Sequence, residues 1–157
     1  MKNFFTITIL LISLACIFNL SCKNALTLNQ EHRFDHDSWS SQDTIHFKWT
    51  IPDTSLWYSM ELVVQHKLEF PFQNQYVMVH TLFPDQHLTE QLLSLELYDD
   101  TGRPFGKCNG SLCNTPLLLQ EKVKFPQIGA YQIDLMQNGR DTVVNGLSAL
   151  RLKIQKI

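Results

Sequence analysis

From Thr44 to Ile51 polar and apolar residues alternate, with Ile45, Phe47, Trp49 and Ile51 in one phase and Thr44, His46, Lys48 and Thr50 in the other. A period of two is the mark of a strand with one buried face. Pro52-Asp53 breaks the run. The pattern returns with Met60, Leu62 and Val64, in the Val- and Thr-rich stretch Tyr76 to Leu82, and with Leu93, Leu95 and Leu97, which predicts three more strands. Asp99-Asp100-Thr101-Gly102-Arg103-Pro104 is a concentrated turn signal. Leu117 to Phe125, Tyr131 to Met136 and Leu150 to Ile154 complete the series, with Asn138-Gly139 reading as a hairpin turn after Met136. His87 to Leu97 also admits a short helix leading into its strand. Seven or eight strands with turns between them predict an all-β chain folded as an antiparallel β-sandwich, because two half-polar sheets hide their apolar sides by facing each other. Jelly-roll and immunoglobulin-like connections both fit this reading.

The N-terminus breaks the alternation. Lys2 precedes an apolar run from Phe4 to Leu20, followed by Leu20-Ser21-Cys22, the layout of a secretory signal that ends in an acylated cysteine. A spanning helix is the competing reading, but Thr6, Thr8, Ser13 and Asn19 interrupt a run that is marginal for crossing a bilayer. Cys16 is the rival acylation site; its use would strand Ile17, Phe18 and Leu20 on the mature chain. Cys22 is favoured, and acyl chains there supply the double anchor that stable membrane attachment needs. Residues 1–21 are therefore read as the signal, 22–33 as a tether and 34–157 as one β-sandwich domain. Lys23-Asn24-Ala25-Leu26 carries no acidic pair, which favours a periplasm-facing position on either membrane.

Removal of residues 1–21 leaves 12 Lys+Arg against 15 Asp+Glu, a formal charge of −3. Nothing in that balance attracts nucleic acid. Seven of the ten phenylalanines, those after residue 21, and three tryptophans supply bulky core material. In an oxidising compartment Cys108 and Cys113 are placed to form a local disulfide that shapes the loop between them. Zinc would need more ligands than these two thiols, and a redox pair would favour Cys-x-x-Cys at a helix start.

The familiar catalytic spacings are absent: Gly-x-Ser-x-Gly, His-Glu-x-x-His, a phosphate loop and a dinucleotide fingerprint. Glu61, Glu69 and Glu96 are the acids with apolar flanks suited to a glycosidase pair, and each reads first as a solvent-facing strand residue, so no enzyme and no cofactor are expected. His32, His36, His46, His66, His80 and His87 are scattered; His46 and His66 fall at polar phases of neighbouring strands, yet no ligand spacing supports a metal. Aromatics cluster at Trp39 to Tyr58 and at Phe70-Pro71-Phe72 with Tyr76. Pro71 bends the second cluster out of a ladder, which makes Phe70, Phe72 and Tyr76 candidate contacts for a partner, either a protein or the flat face of a glycan.

The acylation signal, Glu69-Phe70-Pro71-Phe72-Gln73-Asn74-Gln75-Tyr76, the strand Leu92 to Tyr98, the Asp100-Thr101-Gly102 turn, the loop Gly106 to Gly110 and the closing Gly129-Ala130-Tyr131 to Ile154 resemble the gliding-motility lipoprotein GldH family. The likeness runs over nearly the whole chain. Where that family commonly has a tryptophan among alternating glycines, this chain has Phe105, Cys108 and Cys113. The resemblance implies a cell-envelope lipoprotein of Bacteroidetes-type bacteria, associated with gliding motility and its linked secretion apparatus, with envelope proteins as partners and no enzyme activity. Asp43-Thr44-Ile45 and Asp141-Thr142-Val143 resemble the O-glycosylation sites of such bacteria, with Thr142 the better placed.

Overall fold

A computed structural model describes residues 26–157. Residues 1–21, expected to be a signal, and Cys22, the expected acylation site, lie outside the described residues. Eleven strands make up the described chain: β1 (Leu26–Arg33), β2 (Ser38–Ser40), β3 (Thr44–Ile51), β4 (Tyr58–Lys67), β5 (Asn74–Leu82), β6 (Leu88–Glu96), β7 (Lys107–Asn109), β8 (Leu112–Val123), β9 (Gly129–Gln137), β10 (Val143–Asn145) and β11 (Leu147–Lys156). One 3-10 turn, Asp35–Asp37, joins β1 to β2. All pairings are antiparallel. The chain is all-β and sandwich-like, as the alternation predicts.

A five-stranded sheet runs β1-β11-β4-β8-β7 and a four-stranded sheet runs β3-β9-β5-β6, with β10-β2 as a small third ladder. Each long sheet sends one phase inward. Ile45, Phe47, Trp49 and Ile51 from β3 and Tyr131, Ile133 and Leu135 from β9 join Leu62, Val64, Leu150, Leu152 and Ile154 of the other sheet in one core. The aromatic end of that core is tight: Tyr131 stacks on Trp49 with ring centroids 5.7 Å apart, and Phe125 meets Tyr131 edge-on at 4.9 Å. Trp39, fully buried, donates its indole N–H to the Asp43 carbonyl.

Three expectations need correction. The tether expected over 22–33 gives way at Leu26 to β1, which pairs with β11 from Leu26↔Gln155 to Arg33↔Ala149. A satisfied backbone ladder and buried Leu28 make those residues part of the sheet. The short helix allowed within His87–Leu97 is strand instead. Phe83 and His87 close a turn by the His87 carbonyl accepting from the Phe83 N–H at 2.9 Å, and β6 then pairs along its whole length with β5. Asn138-Gly139 does not make a hairpin after Met136: β9 continues to Gln137, and the chain crosses to pair β10 with β2 rather than with β9. The Gln137 side chain holds that crossing, accepting from the Gly139 N–H and donating to the Asp141 carbonyl, each at 2.8 Å.

Candidate functional site

The bend from β4 to β5 was expected to present Phe70, Phe72 and Tyr76 together. The structure separates them. Phe70 is only 6% exposed; it packs against the rings of His66 and Phe72 and against Gly146. Gly146 has φ +94°, and an added Cβ would stand 3.2 Å from the Phe70 ring, so glycine lets the β10–β11 corner close over this phenylalanine. Phe70 is therefore a core residue, not a partner contact, because the bend turns it inward under that corner. Phe72 and Tyr76 remain exposed, at 39% and 45%.

Tyr76 belongs to an apolar strip on the outward face of the four-stranded sheet. Met78 lies opposite Leu92 on β6 and opposite Met136 on β9; Leu92 is 52% exposed. These three share the outward phase of Tyr76. Directly beside the strip runs a polar row, His46, Asp134, His80 and Glu90, paired strand to strand. His46 Nδ1 lies 2.6 Å from Asp134 Oδ1, and His80 Nε2 lies 2.8 Å from Glu90 Oε2. Apolar strip and charged row together form a face with the anatomy of an interface core and rim.

His46 and His66 do not meet. His46 is on β3, whereas His66 lies on β4 in the other sheet and is fully buried. Its Nδ1–H donates to the Lys67 carbonyl at 2.9 Å, while Nε2 accepts from the Thr115 hydroxyl at 3.0 Å. Burial pushes its pKa below the ordinary 6.5, opposed by the bond to Lys67. His66 shares the buried phase of Met60, Leu62 and Val64, not the polar one, so the alternation itself carries it inward beneath the Tyr98 and Phe70 rings. Among the described residues no group of three or more His, Cys, Asp or Glu is arranged to hold a metal ion.

Of the three acids considered for a carboxylate pair, Glu61 accepts from Lys153 Nζ at 2.9 Å and Glu96 accepts from the Ser94 hydroxyl at 2.7 Å. They occupy the outward phases of opposite sheets, so the fold does not bring them across one cleft. Cys108 and Cys113 are joined as a disulfide across the β7–β8 hairpin, as directly paired residues. Gly106, just before it, lies so close to β8 that a Cβ would collide with the Asn114 carbonyl. Thr142 is exposed in the loop before β10, and Thr44 is half-buried at the start of β3.

Sequence reasoning missed a second feature. Between the sheets, on the side where β6 and β8 are the flanking strands, an apolar slot of about 390 Å³ is left open. Val79, Leu93, Leu117, Leu119 and Trp49 line it, and Lys124 is the one charged residue among its walls. Five of these lie in strands read correctly, yet a gap between two sheets is set by how far the sheets stand apart and leaves no mark on either strand's pattern.

The fold and surface define an antiparallel β-sandwich with a disulfide-closed hairpin and one outward sheet face of mixed apolar and charged character. The family model described as GldH lipoprotein matches residues 27–154, and the chain belongs to that family. It is thus a lipoprotein of gliding-motility type, anchored in the cell envelope. No curated protein matches the chain.

Proposed function

We propose that this chain is a non-catalytic, membrane-tethered component of the gliding and linked secretion apparatus that acts by binding another envelope protein. Acylation at Cys22 provides the tether, and the domain faces the periplasm. The observation that carries the reading is the outward strip of exposed Tyr76 and Leu92 and half-buried Met78 and Met136 beside the His46–Glu90 row. An exposed tyrosine and leucine with half-buried methionines between them, edged by polar groups, suit a protein partner.

The test is crosslinking in the native cell followed by capture of the chain and mass spectrometry. Tyr76→Ala with Leu92→Ser is expected to lose a fixed set of envelope proteins that the unaltered chain retains, with each substitution worth about 1–2 kcal/mol of binding. Retention of the same set by the double variant would remove this face from the proposal. Retention of glycan by the purified protein, with no fixed protein set, would replace it by a carbohydrate-binding role.

A further inference from the structure

We infer that the slot between β6 and β8 takes an acyl chain of an anionic membrane lipid, with the headgroup held by Lys122 and Lys124 beside Trp57. Three independent observations converge on that occupant.

The slot has the right chemistry and length. Its walls from β8 run from Leu117 to Val123, six strand steps or roughly 20 Å. The lining is mostly aliphatic and aromatic, with Thr81, Gln91, Ser94 and Gln120 among it, so it favours a flexible apolar chain.

Charge marks one end. Lys124 follows directly on β8, and its Nζ sits 4.8 Å from the centroid of the Trp57 ring, with Lys122 Nζ at 4.6 Å over the same ring. Trp57 is 40% exposed. An exposed tryptophan flanked by two lysines is suited to the headgroup layer of a membrane, and the lysines favour a negative headgroup.

The chain's own layout brings that end to the bilayer. Leu26 lies opposite Gln155, Gln155 opposite Ser59, and the neighbouring Tyr58 opposite Val123. Leu26, Trp57 and Lys124 therefore share one end of the sheet. Cys22 precedes Leu26 by four residues, a reach of at most about 14 Å even when fully extended. This third argument rests on the lipid anchor at Cys22; the first two do not.

The experiment reconstitutes the full mature chain in vesicles of phosphatidylglycerol carrying a photoactivatable diazirine at the acyl terminus, followed by irradiation and peptide mass spectrometry. Adducts are expected on Leu93, Leu117 or Leu119. The exposed pair Lys122→Glu with Lys124→Glu is expected to lower them about tenfold, the loss of a charge-assisted contact. Val79→Phe, which fills the slot, is expected to abolish them while unfolding stays cooperative. Adducts confined to Trp57, Ile128 and Ile157, or equal yields from the charge-reversed variant, would overturn the inference. So would a slot already filled by the chain's own acyl group, seen as no label there in an acylated protein. Intact mass reports acylation of Cys22 separately, so a missing anchor and an empty slot are different results.

Discussion

His66 is the histidine that the fold closes over, and its burial makes stability depend on pH. The unfolded chain takes up a proton on this imidazole near the ordinary 6.5, whereas the folded chain resists it because burial lowers the pKa. Stability is therefore undiminished above that value and falls as pH drops through it. Thermal unfolding followed from about pH 7 to about pH 5 should show the midpoint falling, in the range where an unperturbed imidazole titrates. His66→Gln should flatten that slope while costing about 1–3 kcal/mol, since the Thr115 hydroxyl and Lys67 carbonyl lose well-placed partners. An unchanged slope in the variant would move the pH dependence elsewhere. Asp99 is distinguishable: its carboxyl is held low by the Thr101 hydroxyl and the Arg103 N–H, so its contribution is present above 3.8 and is lost only in more acid solution. Phe70 and Phe72 offer a second residue-level contrast. Phe70→Ala should cost about 3–5 kcal/mol in a denaturant titration, as for a buried ring. Phe72→Ala should stay within about 1 kcal/mol, because its ring is partly in water already. Equal losses would mean that the β4–β5 bend is not folded as described.

Elements differ in what disciplined them, and so in how legible they were. β3, β4 and β9 read plainly because each buries one whole phase against the facing sheet. β1 was invisible because, of residues 27–33, only Leu28 is buried; backbone pairing with β11 and the Glu31–Arg151 ion pair hold it, and hydrophobic alternation records neither. Asn138-Gly139 misled for a different reason: the turn chemistry is local, whereas the destination of the chain is set by the ladder that β2 leaves open to β10. The disulfide hairpin was legible from spacing and compartment alone. Its two cysteines lie five apart in sequence, so the loop entropy removed from the unfolded chain is small. Cys108→Ser with Cys113→Ser should lower stability by about 2 kcal/mol, and faster amide exchange should be confined to β7 and the start of β8. Loss of protection throughout β4 and β11 would show that the bond holds the sheet and not only its hairpin.

At the scale of the whole molecule the two proposed contacts fall at different places on one axis. Leu26, Trp57 and Val123 mark one end of the five-stranded sheet; Lys67, Leu112 and the Cys108–Cys113 pair mark the other. The nine strand steps of β4 between them span about 30 Å. Tyr76 lies near the start of β5, which leaves the β4–β5 bend at that second end. A chain held at Cys22, as proposed, would turn its Trp57 end toward the lipid and carry Tyr76, Phe72 and the disulfide hairpin away from it, on the side where the proposed partner would have access. Binary patterning could find the strands, but this polarity exists only once register fixes which strand ends coincide. Its test is depth. Single labels placed by Lys122→Cys and by Lys107→Cys in the acylated protein on vesicles should respond differently to a quencher carried on the lipid headgroup. The first should be strongly quenched and the second nearly untouched, since roughly 30 Å exceeds the reach of a headgroup-borne contact quencher. Equal quenching of both would mean that the sandwich lies flat on the bilayer, and the outward sheet face would then compete with lipid rather than stand free to bind its partner.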